Sequence, residues 1–294
     1  MNFQSKLGCV CALAMVFACG PMLQALTNPD WTAPQKPFRI ADSLYYVGSR
    51  DLASYLVVTP SGNILLNANL ESSPPQIRAS VEKLAFRWTD TRILLNSQAH
   101  FDHAAGNAEV IRETGAKLMM MDGDVRAMET GDVHDFGGRD LSSFPPAKVT
   151  RVLHDGDTVQ LGGVTLTAHK TAGHTRGCSA WTMQVTDHGH VRNVVIVGGF
   201  AALDSYRLIA TPGRPASYPG IGEDFLHGFA VERKLPCDIF LGAHGQYFGL
   251  QEKLARLPME GSSVWIDPQG YQQLIADAEQ RIKARMAAER TATP

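Results

Sequence analysis

Cysteine is scarce in this chain. Five occur in 294 residues, and Cys9, Cys11 and Cys19 fall within the first 25, so Cys178 and Cys237 alone remain for the body of the protein. Neither has a second cysteine at metal-ligand spacing, which excludes a cysteine-rich zinc cluster. No sign of charge dominates: 27 Lys plus Arg against 29 Asp plus Glu leave a formal net charge of −2. The charges form no long runs, so the electrostatic footprint of a nucleic-acid binder is missing, and a small neutral or anionic partner fits better. The apolar run Leu7 to Ala18 falls short of the roughly 20 residues that span a bilayer, so no stable membrane insertion is expected. What is present in quantity is apolar side chain, 44% of residues against 19% charged. That is too apolar for a disordered tail, and the chain is too long for a disulfide miniprotein.

The first 25 residues carry the parts of a secretory signal: Lys6, the apolar run, then small residues with cleavage expected after Ala25. Residues 26–294 are then the working domain, exported to the periplasm. Val16-Phe17-Ala18-Cys19 distantly resembles a lipoprotein cleavage box, but Phe17 is bulky where small residues are usual, which makes lipid anchoring at Cys19 the lesser alternative. In an oxidising compartment Cys178 and Cys237 form one disulfide or remain two buried thiols, and the sequence weighs these equally.

From Pro37 to Asn67 the chain reads as short strands, with a turn at Thr59-Pro60-Ser61-Gly62. Ser73-Pro74-Pro75 then opens an amphipathic helix over 74–87, with Ile77, Val81 and Leu84 on one face. A strand at Arg92–Leu95, a helix at Ala104–Thr114 ended by Gly115, and a strand at Lys117–Met121 follow. Residues 130–147, with Gly137-Gly138 and Pro145-Pro146, lose periodicity and read as a surface loop. Strands resume at 150–154, 157–161, 164–169, 179–185 and 191–197. Pro268 starts a last helix whose Tyr271, Leu274, Ile275, Ala278 and Ile282 share an apolar face. Two packed sheets with helices outside are the natural architecture.

Directly after the strand ending at Leu95 stands Gln98-Ala99-His100-Phe101-Asp102-His103. Four donors lie within six residues, enough for Gln98 and His100 to serve one metal while Asp102 and His103 serve a second with water between them. Two further histidines, His174 and His244, each stand in a glycine-flanked turn after a strand, where the backbone bends tightly and an imidazole can project. Three loops thus offer six donors. His134, His154, His188, His190 and His227 lack such a context and read as surface residues. His169 ends a strand near the site and is a candidate for orienting the sheet there. Asp157 is either a supporting anchor or simple turn chemistry, and Trp31 and Trp88 read as packing residues.

These residues resemble the metallo-β-lactamase superfamily, whose motif HxHxDH is followed far downstream by two isolated histidines. The likeness runs from about Pro37 to the final helix. Gly156-Asp157, Leu161-Gly162-Gly163, Thr167-Ala168-His169, Ala172-Gly173-His174-Thr175, Gly242-Ala243-His244, Pro145-Pro146-Ala147 and Tyr45-Tyr46-Val47-Gly48 are similar to subclass B3 β-lactamases. The resemblance implies an α+β fold, an αββα sandwich of two mixed β-sheets with helices on the outer faces. It also implies up to two Zn2+ ions, the first held by Gln98, His100 and His174 and the second by Asp102, His103 and His244.

Gln98 replaces the first histidine of the family motif, and its neutral amide oxygen binds zinc less well than imidazole, so the first site is expected to be the weaker. The implied reaction is hydrolysis of the β-lactam amide of carbapenems, penicillins and cephalosporins by metal-bound hydroxide, oriented by Asp102, giving antibiotic resistance. Many B3 relatives carry serines that help hold the substrate carboxylate, whereas this chain reads Gly199-Phe200-Ala201-Ala202. Phe200, Arg207, Gln246 and Tyr247 are the candidates for substrate contact. Two rival readings are a lactone or thioester hydrolase using the same metals, and a non-catalytic secreted zinc-binding protein with a damaged pocket at Phe200. A monomer is expected.

Overall fold

The computed structural model describes residues 28–131, 136 and 143–291. The expected signal segment and His134 lie outside them. Twelve strands form two sheets among the described residues. The first runs in sequence order through β1 (Phe38–Ala41), β2 (Leu44–Tyr46), β3 (Tyr55–Thr59), β4 (Gly62–Leu66), β5 (Thr91–Leu95), β6 (Lys117–Met121) and β7 (Arg151–Leu153). It is antiparallel up to β4 and parallel from β4 to β7. The second has the order β12 (Ile239–Gly242), β11 (His190–Val197), β10 (Ser179–Asp187), β9 (Val164–Lys170) and β8 (Thr158–Leu161). Its one parallel pair is β11 with β12. Both sheets are therefore mixed, as expected.

Alternation along the strands decides the layers. Ile64, Leu66, Ile93 and Leu95 point into a core shared with Leu166, Ala168, Trp181 and Met183 of the second sheet. Their neighbours Leu65, Leu94, Leu118 and Met120 point the other way, into a second cluster with Ile77, Val81 and Val110. That second face is covered by α1 (Pro74–Lys83), α3 (Asn107–Thr114) and α4 (Val125–Thr130), so the central strands of the first sheet are apolar on both sides. α5 (Ile221–Glu232) and α7 (Pro268–Thr291) extend the inter-sheet core through Phe225, Phe229, Tyr271, Ile275, Ala278 and Ile282. α6 (Leu250–Glu260) follows the His244 loop.

Several boundaries move. The helix expected over 74–87 stops at Lys83, and Ala85 takes a positive φ of 64° that turns the chain toward Trp88. The helix expected over 104–114 is two: α2 (Phe101–Ala104) and α3. Gly106 lies between them with its N–H donated to Asn69 O (2.9 Å). A Cβ there would sit 2.4 Å from Ala68 O, so only glycine allows the chain to pass so close to the β4 loop. The strands at 150–154 and 157–161 shorten, while those near 164, 179 and 191 lengthen by one or two residues at one end. No helix among the described residues is long and apolar enough to cross a membrane.

Candidate metal centre

The loops after β5, β9, β11 and β12, together with the bend between β2 and β3, gather at one end of the two sheets. The β5 loop is fixed before its donors are considered. Ser97 N–H donates to Asn67 Oδ1 (2.9 Å), Trp181 Nε1 to Asn96 O (3.1 Å) and Asn96 Nδ2 to His103 O (2.8 Å). Asp124 joins this loop to the next: its Oδ2 accepts from Ala99 N (2.9 Å) and Thr175 Oγ1 (2.7 Å), its Oδ1 from Gly177 N (2.7 Å). One carboxylate thus sets the spacing of the His100 and His174 loops. The β12 loop is tied in by Ala53 N to Ala243 O (2.9 Å) and Ala243 N to Val197 O (2.8 Å).

Within this frame five of the candidate donors come together, and Gln98 lies buried two residues before the first of them. Asp102 Oδ2 lies 3.4 Å from His103 Nε2 and 3.3 Å from His244 Nε2, and the two imidazole nitrogens are 3.1 Å apart. Donors about 2.0–2.2 Å from a tetrahedral zinc are separated by about 3.3 Å, so this triangle has the edge length of one coordination face. His100 and His174 stand beside it with ring centroids 4.5 Å apart. Gln98 is 1% exposed, and neither Oε1 nor Nε2 has a hydrogen-bond partner. A buried amide without partners costs free energy unless something else satisfies it, and an oxygen ligand to a cation is one such role. The residues present fit a metal.

Electrostatics agree with the geometry. Burial lowers the pKa of His100, of His103 (to about 3) and of His174, leaving neutral imidazoles with a lone pair for a metal. Asp102 is buried, which opposes ionisation, but His103 and His244 outweigh that and hold the carboxyl well below its usual range. Burial opposes charge on His244 too, yet hydrogen bonds to Asp102 and Asp51 raise it to about 9, so this ring must release its Nε2 proton to take a metal. The tautomers follow from the outer partners. His174 Nδ1 donates to Ala201 O (2.6 Å) and His244 Nδ1 to Asp51 Oδ2 (2.9 Å), so both present Nε2 inward.

The remaining candidates sort clearly. Tyr247 is half-buried, with its ring 4.9 Å from His244 and 4.5 Å from Phe200, and Gln246 is exposed at the same rim. Arg207 lies between buried Tyr206 and Leu208, its backbone paired with Ser217, and among the described residues it makes no hydrogen bond or ion pair with the donor cluster. Cys178 and Cys237 are both free thiols, which decides the even weighing of the sequence against a bridge in this structure. Cys178 Sγ is instead held by the Gly199 backbone, accepting from its N–H at 3.0 Å, and burial pushes both thiols up to about 12. Asp157 anchors no ligand: it accepts from His154 N (2.9 Å) in its own turn. His169 Nε2 meets Thr182 Oγ1 (2.8 Å), clamping β9 to β10 outside the donor cluster. His154, His188, His190 and His227 are exposed as expected, and Trp88 is core.

Trp31 corrects the reading of it as packing alone. Its Nε1 donates to Asp51 Oδ2 (3.0 Å) and its ring lies 5.7 Å from His244. Asp51, Asp124 and Tyr206 were missed altogether. Tyr206 Oη lies 3.3 Å from His100 Nε2 and donates to His174 O (2.8 Å). The Asp122-Gly123-Asp124 run was a visible signal for a carboxylate beside a tight turn; nothing local marked the other two.

Two stacked mixed sheets, with histidine-bearing loops from both gathered at one end around a carboxylate, define a metallohydrolase of the αββα kind. The pattern of the metallo-β-lactamase superfamily matches residues 50–187. Among solved structures, the FEZ-1 metallo-β-lactamase from Legionella gormanii superposes with a TM-score of 0.85 at 44% identity, covering 88% of this chain and 98% of that one. BJP-1, a subclass B3 metallo-β-lactamase of Bradyrhizobium japonicum, gives 0.82 at 34% identity, covering 89% and 97%. LRA-12, a class B3 di-zinc enzyme from an Alaskan soil metagenome, gives 0.81 at 34%, covering 89% and 98%. A curated relative, hydroxyacylglutathione hydrolase of Rhodospirillum rubrum, is 31% identical over 105 residues, 36% of this chain and only 33% of that protein's length. The chain belongs to the metallo-β-lactamase superfamily and is a hydrolase of the metallo-β-lactamase type.

Proposed function

We propose that the protein hydrolyses the β-lactam amide of carbapenems, penicillins and cephalosporins and so confers antibiotic resistance. Gln98, His100 and His174 would hold one zinc, and Asp102, His103 and His244 a second, the first more weakly. Zinc in such a site supplies Lewis acidity toward the lactam carbonyl and brings the ionisation of water toward neutral pH. Asp102, kept ionised by His103 and His244, accepts a hydrogen bond from the attacking water and sets its direction. Asp51 and Ala201 O hold His244 and His174 in one tautomer. Tyr206, by donating to His174 O, keeps the second histidine loop from drifting away from the first. Tyr247, Phe200 and Gln246 form the rim beside His244 over which a bicyclic substrate would lie. The segment 1–25 directs the protein to the periplasm, where it acts as a monomer.

The observation that carries this reading is the triangle of Asp102, His103 and His244, with all ligand atoms within 4.8 Å, beside a buried Gln98 amide that has no other partner. The test is imipenem hydrolysis by the purified mature protein, followed by ultraviolet absorbance before and after chelation and then with zinc restored. Loss on chelation and recovery with zinc is the expected result. No turnover of imipenem, a penicillin or a cephalosporin by the zinc-loaded protein would overturn it. The partial likeness to hydroxyacylglutathione hydrolase favours a second reading, a lactone or thioester hydrolase, so a glutathione thioester and a lactone belong in the same assay.

A further inference from the structure

Residues 199–202, just after β11, offer a substrate carboxylate no side-chain hydroxyl. Gly199 is closed to a side chain altogether, because a Cβ there would lie 2.3 Å from His174 Cδ2. Phe200 packs on Tyr247, and the carbonyl of Ala201 is taken by His174. Penicillins, cephalosporins and carbapenems all carry a carboxylate beside the ring nitrogen. Bound zinc would attract it, and a guanidinium at the wall would add two directional hydrogen bonds that fix how it lies.

Arg176 stands two residues after His174 with an exposed side chain. Its backbone is fixed, since its carbonyl packs so closely on Gly123 that a Cβ there would lie 2.2 Å away. Its guanidinium lies 4.3 Å from the Tyr218 ring centroid and 5.2 Å from that of Phe136. The Phe136 ring is in turn 4.9 Å from Tyr206, whose hydroxyl reaches His100. Arg176 therefore caps an aromatic wall that ends at the donor cluster. Among the described residues no carboxylate pairs with it. Stacking leaves the edge of the guanidinium free to donate two parallel hydrogen bonds while restraining a flexible side chain in advance. Arg285, by contrast, is consumed by backbone carbonyls.

We propose that Arg176, stacked on Tyr218 and Phe136, is the specificity residue that holds the carboxylate of a β-lactam substrate in place of the hydroxyls that residues 199–202 lack. This rests on the β-lactam reading above. The test compares a cephalosporin with its carboxylate methyl ester, the lactam chromophore being the same, in the zinc-loaded wild-type protein, R176Q and R176K. Losing a charge-assisted pair should raise KM for the free acid about tenfold in R176Q while kcat stays within about twofold. The ester should be turned over equally by wild type and R176Q, and R176K should recover part of the KM for the acid. A general loosening of the fold would instead lower acid and ester turnover together. That result, or unchanged KM for the acid in R176Q, overturns the proposal while leaving the β-lactamase reading intact. If the wild-type protein hydrolyses neither compound, the reading itself fails and this assignment with it.

Discussion

His244 donates its Nδ1 proton to Asp51 at 2.9 Å across 193 positions of sequence, and that bond decides which nitrogen faces the donor cluster. Asp51 is itself held, by Trp31 Nε1 at 3.0 Å on Oδ2 and by Gln246 N–H at 3.0 Å on Oδ1. A supporting carboxylate of this kind orients the ring and strengthens it as a ligand, typically worth 10- to 100-fold in metal affinity. Asp51→Ala should therefore weaken zinc binding at the position of Asp102, His103 and His244 by about that factor, measured by competition with a chromophoric chelator. Activity should return at high zinc. Unchanged affinity would mean that packing alone orients His244.

Gln98 makes a different prediction about the same metals. Its oxygen is neutral and less basic than imidazole, so titration of zinc into the metal-free protein should give two unequal affinities, the weaker at the position of Gln98, His100 and His174. Gln98→His should bring the two closer. Equal affinities in the parent protein would show that the buried amide, which has no other partner, binds as well as a ring.

Most of the framework was legible because it rests on local signals. Strands such as Lys117–Met121 and the glycine-flanked turns that carry His174 and His244 declare themselves through alternation and turn chemistry. Four of the candidate donors lie within 98–103, so the sequence itself singles them out. What supports them was not legible. Asp51 sits in a bend between β2 and β3 and meets His244 only when β12 is in place, and Trp31 reaches the same carboxylate from before β1. Asp124 bonds to two loops that flank it by 25 and by 51 to 53 positions. These are tertiary hydrogen bonds between exposed-looking polar residues, and no periodicity announces them. The break between α2 and α3 escaped for a similar reason, since Gly106 answers to the backbone of Ala68 rather than to its own helix.

The loop that carries Tyr206 is held from behind by α7. Arg285 donates to the carbonyls of Ala202 (3.3 Å), Leu203 (2.8 Å), Asp204 (3.1 Å) and Tyr206, and Glu289 Oε2 accepts from Leu208 N (2.8 Å) and Ile209 N (3.0 Å). Removing the guanidinium leaves four carbonyls to seek water and frees the loop to move. Arg285→Ala should cost about 1–3 kcal/mol in stability by denaturant melts. It should also open a new cleavage site within 202–209 in limited proteolysis read by mass spectrometry, and raise KM for a β-lactam more than it lowers kcat. Arg285→Lys, with a point charge in place of a planar fork, should recover only part of each. Proteolysis identical to the parent would show that Glu289 holds the loop alone.

Glu232 carries a pH dependence of stability that has nothing to do with the metals. It ends α5 at 1% exposure, its Oε1 has no hydrogen-bond partner, and burial pushes its carboxyl up to about 8. The folded state therefore keeps a proton that the unfolded chain releases near pH 4.5. The contribution is full below the unfolded pKa and is lost as pH rises through about 8, a change of roughly 3–5 kcal/mol. Glu232→Gln holds the neutral form at every pH and so removes this dependence. Melting the two proteins side by side from pH 5 to pH 9 should find Glu232→Gln close to wild type at pH 5, increasingly more stable up to about pH 8, and ahead by a constant margin above that. A constant difference across the range would show that the carboxyl titrates normally and that water reaches Oε1 in solution.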